Sequence, residues 1–177
     1  MSVVTEVKSR VSRLARAEKK SYSGDVERPL GGYLTLMSAY AAVTGTLAVA
    51  ARLTHREIPD GLAVQDIALS AVATHKLGRV ITKDPVTSPL RAPFTTYQEQ
   101  EGPAELKEEV RGNGVRKAIG ELVTCPFCID LWIATGVTAG FVYLPRTTRL
   151  AVGTLAAVAG ADLLQFGYAW LQEQEQS

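Results

Sequence analysis

The chain has 177 residues, about the size of one domain, and its 19 basic and 18 acidic side chains nearly cancel. Aromatic residues make up only 7% of the chain, and no run interleaves them with lysine or arginine, which argues against nucleic acid as a partner. Two cysteines are too few for a secreted domain held together by disulfides.

Residues 1–28 form a basic arm in which apolar residues recur at roughly helical spacing. The basic residues are Lys8, Arg10, Arg13, Arg16, Lys19, Lys20 and Arg28, and the apolar ones are Val3, Val4, Val7, Val11 and Leu14. This pattern is typical of an amphipathic helix on an anionic membrane surface, where each basic residue contributes about 1 kcal/mol. A disordered, solvated arm is the alternative. The basic stretch is too long for a signal peptide, and no cleavage-site pattern follows it.

Four apolar stretches follow the arm, and together they predict an all-α fold. The expected architecture is a polytopic membrane helical bundle of about four transmembrane helices, within a membrane domain at residues 29–172 and before a polar tail at residues 173–177. The spans are expected near residues 30–52, 61–81, 122–144 and 150–171. Three of these runs are poor in charge and long enough for a hydrocarbon core that needs about 20 residues. A soluble all-helical bundle is the alternative.

The second stretch is the least apolar, because four ionisable residues interrupt it: Asp66, His75, Lys76 and Arg79. A charge at the middle of a spanning helix costs roughly 2.5 to 3.5 kcal/mol, whereas one near an end can reach the interface. The last stretch contains Asp162. Ionisable groups within a membrane are candidate functional groups. Two interpretations therefore stay open. In the first, these groups, including Asp66, Arg79 and Asp162, form structural pairs or reach the membrane interface. In the second, the chain is a transporter in which Asp66, His75 and Asp162 form a polar path.

Residues 83–117 are expected to form a long polar loop between the second and third spans. The first part is rich in proline, which favours turns and extended chain, and the second part predicts a short charged helix that begins at Pro103 and breaks at residues 112–114. Lysine and arginine are concentrated in the arm and in this loop, and the turns after the first and third spans hold two arginines each. The positive-inside tendency therefore predicts a multi-pass protein of the cell membrane with both termini and the loop in the cytoplasm.

The third stretch begins with the motif CPFC, which places the thiols of Cys125 and Cys128 one turn apart at an expected helix start. Pro126 suits the first helical position, where no amide proton is required. The free amides of a first turn and the helix dipole would stabilise a thiolate there. Asp130 follows within one turn, and Trp132 is expected near the membrane interface. A permanent disulfide is not expected in a reducing cytoplasm.

Three interpretations of this motif stay open. In a structural or interaction protein, which is the preferred one, the motif fixes the start of a helix. In a metal-binding protein, Cys125 and Cys128 would bind zinc, with His75, Asp130 or the cysteines of a second subunit completing four ligands. In a thiol–disulfide exchange protein the pair would react directly, although no thioredoxin-like strand and crossover helix surround it.

Other functional patterns are absent from the sequence. It contains no P-loop, dinucleotide fingerprint, HExxH or GxSxG pattern, so the chain is not expected to be an enzyme, and no cofactor is assigned apart from zinc in the metal-binding alternative. The expected partners are the lipid bilayer and either other membrane proteins or a second copy of the chain.

Two segments together carry a resemblance to a known family. KDPVTSPLRAPF at residues 83–94 and GELVTCPFCIDLW at residues 120–132 resemble domain-of-unknown-function family 1360, bacterial small multi-pass membrane proteins that include a sporulation-associated member in bacilli. The matching residues are Asp84, Thr87, Pro89, Arg91, Cys125, Pro126, Cys128 and Trp132. The family usually has a small residue two positions beyond the second cysteine, where this chain has Asp130. The resemblance covers residues 30–170 approximately and implies no enzymatic activity.

Overall fold

The computed structural model describes residues 3–24 and 28–175, and these are mostly helical, as the sequence predicts. Residues 1, 2 and 25–27 of the arm and the last two residues of the tail lie outside the described ranges. The helices and strands are α1 (Val3–Ser23), α2 (Leu30–Leu53), α3 (Val64–Thr82), α4 (Ser88–Arg91), β1 (Thr95–Gly102), β2 (Glu105–Val110), α5 (Gly114–Thr124), α6 (Pro126–Tyr143) and α7 (Pro145–Glu175).

Helices α2 and α6 pack side by side and run in the same direction. Near the middle of α2, Tyr40 packs edge-on against Trp132 with ring centroids 5.2 Å apart, and its hydroxyl lies 2.8 Å from that of Thr135. Further along both helices, the Tyr143 hydroxyl donates to the Leu47 carbonyl at 2.5 Å. Because the contacts advance together along both helices, α2 and α6 are parallel.

Helices α3 and α7 also run in the same direction, opposite to α2 and α6. Asp66 near the start of α3 pairs with Arg149, and Lys76 two to three turns later pairs with Asp162. Leu144 separates α6 from α7, and the chain reverses there, because the Arg149 guanidinium of α7 lies over the Phe141 ring of α6, so those two helices are antiparallel. The start of α2, the end of α3 and the start of α6 therefore meet at one end of the bundle, which we call the head end. The opposite end, with the two short connections, is the turn end.

Three helices, α2, α6 and α7, are long and apolar enough to cross a membrane. Large apolar side chains on them are exposed, among them Leu34, Met37, Val49, Leu131, Leu163, Leu164 and Phe166. Continuous apolar surface of this kind is rare on proteins that are surrounded by water and marks contact with lipid or another protein. The fourth expected span, residues 61–81, corresponds to α3, which is not among these candidates because its ionisable residues interrupt the apolar run.

The polar connection between α3 and α6 folds into a small structure that we call the head (residues 83–124). A 3-10 turn (Pro85–Thr87) leads into α4, and β1 and β2 form an antiparallel hairpin before α5. The expected short helix from Pro103 is wrong, because that segment is the hairpin turn and strand β2. From Leu106 to Val110, part-buried and exposed residues alternate, which is the period of a strand rather than a helix. The sequence predicts a break in the chain at residues 112–114. In the structure α5 begins there, at Gly114, after Gly112 turns the chain with a φ of 93°.

The head is joined to the bundle by a close approach between α2 and α5. A Cβ atom at Gly32 would lie 2.6 Å from the Gly114 carbonyl oxygen and 2.8 Å from Ala118 Cβ. The Tyr33 hydroxyl next to it donates to the Glu121 carboxylate. Neither Gly114 nor Ala118 has a flexible side chain that could move aside, so this approach requires glycine at position 32.

Gly32→Ala is expected to destabilise the protein by about 1 to 3 kcal/mol, since the added methyl group overfills the α2–α5 contact. Gly31→Ala is the matched control, because a Cβ atom at Gly31 meets nothing within 4 Å. Alanine there is expected to be neutral or to stabilise α2 by about 0.5 to 1 kcal/mol, since glycine is unfavourable within a helix. Thermal unfolding of both variants in detergent measures the difference, and equal shifts would contradict the close approach.

Candidate functional site

The two cysteines lie side by side where α5 ends and α6 begins. Cys125 separates the two helices, and Pro126 is the first residue of α6. The amides of Cys128 and Ile129 both donate to the Cys125 carbonyl oxygen at 3.1 Å, which closes the first turn of α6. The two Sγ atoms are 2.6 Å apart, and both cysteines are free, with Cys128 exposed and Cys125 half-buried. This arrangement offers two sulfur atoms at a single point of the head end.

The other residues suggested as ligands do not complete a metal site with these sulfurs in one chain. Within residues 3–24 and 28–175, no group of three or more His, Cys, Asp or Glu side chains is placed to hold a metal ion. His75 is exposed on α3. A four-ligand site that uses Cys125 and Cys128 would therefore need ligands from outside the described part of this chain.

Asp130 is held tightly between α3 and α6. Its Oδ1 atom is buried and has no hydrogen-bond partner among the described residues. A Cβ atom at Gly78 would overlap this carboxylate, so the glycine makes room for it. The structure therefore brings Asp130 to Gly78 on α3, and among the described residues it does not join the thiols in a group of three or more ligands.

The second motif of the sequence folds around Arg91, which is 0% exposed. Its guanidinium donates to the Ile81 carbonyl at 2.8 Å, the Asp84 carbonyl at 3.0 Å and the Thr87 hydroxyl at 2.8 Å. Its Nε donates to the Glu108 carboxylate at 2.5 Å, and the Glu108 side chain is only 6% exposed. One side chain thus joins the end of α3, the 3-10 turn and strand β2.

The remaining residues of that motif shape the chain that brings Arg91 into place. The Asp84 carboxylate accepts a hydrogen bond from the Val86 amide at 2.8 Å and caps the 3-10 turn. The Thr87 hydroxyl donates to the Val80 carbonyl in the last turn of α3. Pro89 lies in the first turn of α4, where an amide proton is not required. The motif is therefore the structural centre of the head, and sequence reasoning missed its partner Glu108.

The ionisable residues of α3 find partners on other elements. The Arg149 guanidinium contacts both carboxylate oxygens of Asp66, at 2.9 and 3.2 Å, and Lys76 Nζ lies 2.5 Å from Asp162 Oδ2. Arg79 pairs with Glu105 of the hairpin. Each of Asp66, Lys76 and Arg79 therefore has a partner of opposite charge on another element. The partners Arg149 and Glu105 were not identified from the sequence, where no local signal connects them to α3.

The outer face of the head carries charged pairs in a polar setting. Lys83 donates to Glu101 at 2.9 Å, and this bond holds the pKa of the Glu101 carboxyl below its ordinary value. Lys107 donates to Glu99 at 2.6 Å, which raises the pKa of the Lys107 ammonium. Both shifts favour the charged form, for the Glu101 carboxylate and for the Lys107 ammonium, so this face is polar.

Comparison with known proteins agrees with the resemblance carried by the two motifs. The family described as "Protein of unknown function (DUF1360)" matches residues 69–168, which is more than half of the chain. The chain is 30% identical over 111 residues to the sporulation protein YjcA of Bacillus subtilis (strain 168), an alignment that covers 60% of this chain and 94% of that protein. No solved structure matches the chain. The chain belongs to the DUF1360 family.

Proposed function

We propose that this chain is a multi-pass protein of the bacterial cytoplasmic membrane with a structural or interaction role, in which the bundle holds the head at the cytoplasmic face. The observation that carries the proposal is the placement of side chains in the bundle. Apolar side chains of α2, α6 and α7 point outward, while the charges of α3 at Asp66 and Lys76 pair with α7. This is the distribution that lipid favours, because an unpaired charge within the hydrocarbon core is costly.

The pairing also explains how α3 would join three apolar helices in a membrane. At 1.5 Å per residue, its 19 residues span about 28 Å, close to the thickness of a hydrocarbon core. Its charges at Asp66 and Arg79 lie near the two ends, and Lys76 meets Asp162 between them. We therefore assign α3 as the fourth span, held in place by its contacts with α6 and α7.

The orientation follows from the distribution of basic residues. The arm and the head lie at the head end and hold most of the lysines and arginines. The turn end holds Arg56 in the connection between α2 and α3, with Arg52, Arg146 and Arg149 in the adjoining helices. The positive-inside tendency places the head end in the cytoplasm. The head would then present its polar hairpin to cytoplasmic or membrane proteins, and a polar face of this kind suits a protein partner better than lipid.

Alkaline washing of membranes from expressing cells tests the membrane assignment. The chain is expected to stay in the pellet after a carbonate wash and to need detergent for release, because four hydrophobic helices are not held by charge alone. A peripheral membrane protein expressed in the same cells serves as the control that the wash must remove. Release of the chain together with that control would contradict the proposal.

The thiol pair favours a second candidate function, thiol–disulfide exchange at the membrane surface. The observation is that the two free sulfurs lie 2.6 Å apart and that Cys128 is exposed. Disulfide exchange needs only these two thiols, whereas a zinc site would need further ligands. Cys128, after losing its proton to solvent, would attack a disulfide of a partner protein, forming a mixed disulfide and releasing one partner thiolate. The Cys125 thiolate would then attack Cys128 and release the second partner thiolate, so that two electrons leave this chain and reduce the partner.

Trapping experiments separate this candidate from metal binding. Cys125→Ser is expected to accumulate a mixed disulfide through Cys128, which acid quenching and a non-reducing gel would show, and Cys128→Ser is the control that should trap none. A site shared by two chains would instead hold one zinc ion per two chains and lose it in either variant. If Cys125→Ser traps no partner and the purified protein holds no zinc, the pair has only the role of starting α6.

A further inference from the structure

Helix α1 shows an apolar face that the rest of the chain leaves uncovered. The described side chains of α1 are exposed along almost its whole length. Val7, Val11 and Leu14 are 55%, 61% and 66% exposed, although each is an apolar side chain in a helix of 21 residues. At 100° per residue, these three positions fall within about 60° of one another, so they form one stripe.

The rest of α1 is strongly basic. Between Val3 and Ser23 the sequence holds six lysines and arginines and two glutamates, a surplus of four positive charges. Arg10, Arg13 and Lys20 are all exposed. An apolar stripe on a helix with a basic polar face is the pattern of a helix that lies in the plane of an anionic membrane surface.

The position of α1 in the chain brings it to such a surface. Only residues 24–29 separate α1 from α2, the first candidate span, which begins at Leu30. Six residues reach at most about 20 Å, so the end of α1 stays close to the level at which α2 enters the membrane. This level is the head end of the bundle, where the other basic segments also lie. An anionic lipid surface there matches α1 in charge and in distance.

We propose that α1 is an interfacial helix that binds anionic phospholipids at the head end, with Val7, Val11 and Leu14 in the headgroup region and Arg10, Arg13 and Lys20 on lipid phosphates. The proposal rests on the membrane assignment made above and adds a lipid partner to it. The stripe is narrow, so apolar burial alone gives weak binding, and the charge of the lipid supplies the remainder. The arm then binds the membrane in proportion to its anionic lipid content.

Hydrogen–deuterium exchange of the full chain in lipid nanodiscs tests this proposal. One set of discs contains phosphatidylcholine alone, and the other contains phosphatidylcholine mixed with phosphatidylglycerol. Amides of α1 are expected to exchange several-fold more slowly in the anionic discs, and high salt should remove the difference by screening. Amides of α6 should exchange equally in both and show that the bundle is intact.

Charge variants identify the source of the protection. Arg10→Glu with Arg13→Glu is expected to remove most of the slowing in anionic discs, since each lost basic residue weakens surface binding about fivefold. Arg10→Lys with Arg13→Lys keeps the charge and is the matched control, which should retain the slowing. Val11→Asp places a charge on the apolar stripe and should also make the α1 amides exchange faster in the anionic discs.

Several outcomes would overturn the proposal. Fast exchange in both discs would mean that α1 lies in water, and equally slow exchange in both would mean that α1 packs on protein, either its own chain or a second copy. If the full chain does not enter nanodiscs at all, the membrane assignment itself fails. That result differs from a failure of the α1 proposal alone, in which the chain enters the discs and α1 exchanges equally in both.

Discussion

Arg91→Met is expected to destabilise the head by about 3 to 5 kcal/mol, the cost of breaking a buried ion pair by removing one partner. Arg91 is 0% exposed, and the substitution leaves the Glu108 carboxylate, itself 6% exposed, without its cation. The carbonyl groups of Ile81 and Asp84 lose their donor in the same step. Because this one side chain joins α3 to the hairpin, the head should lose its resistance to protease while the bundle remains helical. Limited proteolysis and thermal unfolding in detergent measure both effects.

Two further variants show whether the effect comes from the buried pair. Arg91→Met with Glu108→Leu removes both charges, and it is expected to recover much of the lost stability, because a buried pair replaced by apolar groups is often tolerated. Lys107→Met on the same hairpin breaks an exposed pair with Glu99 and should cost less than about 1 kcal/mol. If Lys107→Met loses as much stability as Arg91→Met, the buried Arg91–Glu108 pair is not what stabilises the head.

Lys76→Met is expected to lower the amount of chain recovered from membranes and its thermal stability in detergent. The substitution leaves the Asp162 carboxylate without its cation, because Lys76 Nζ lies 2.5 Å from Asp162 Oδ2 in the unaltered chain. Lys76 lies ten residues after Asp66, which is near the turn end, so the Lys76–Asp162 pair lies about 15 Å further along α3, inside the proposed fourth span. An unpaired charge at such a depth costs roughly 2.5 to 3.5 kcal/mol.

A double variant tests whether the lower recovery of Lys76→Met comes from the unpaired Asp162 carboxylate. Lys76→Met with Asp162→Leu removes both charges and should restore recovery to near the level of the unaltered chain. Lys83→Met is the matched control, since Lys83 pairs with Glu101 on the head rather than inside the bundle, and it should change recovery little. If the double variant is as poorly recovered as Lys76→Met, the lysine acts through something other than Asp162, such as a transport path.

The elements that the sequence predicted correctly are those with strong local signals. The apolar runs of α2, α6 and α7 are long and poor in charge, so their helices and their candidacy as spans follow from composition. Pro126 begins α6 because a proline without an amide proton fits only the first turn. The two motifs likewise identified the family, since their residue types and spacing are local properties.

The elements that the sequence missed depend on contacts far apart in the chain. The segment ELKEEV has charges that suit a helix. It forms strand β2 instead, because Glu108 pairs with Arg91 and the segment pairs with β1. Asp66 and Arg149 are 83 positions apart, and no feature near either residue selects the other. The space that Gly78 gives to Asp130 is equally invisible until α3 and α6 are placed together.

Labelling with a membrane-impermeant maleimide tests the membrane architecture most directly. Spheroplasts would express a chain in which Cys125 and Cys128 are replaced by serine and one reporter cysteine is introduced. Glu57→Cys lies in the exposed connection between α2 and α3 at the turn end, and Gln98→Cys lies on the exposed hairpin of the head. With the head in the cytoplasm, Glu57→Cys is expected to be labelled in intact spheroplasts and Gln98→Cys only after lysis. Labelling of neither cysteine in intact spheroplasts, or of Gln98→Cys alone, would contradict this prediction.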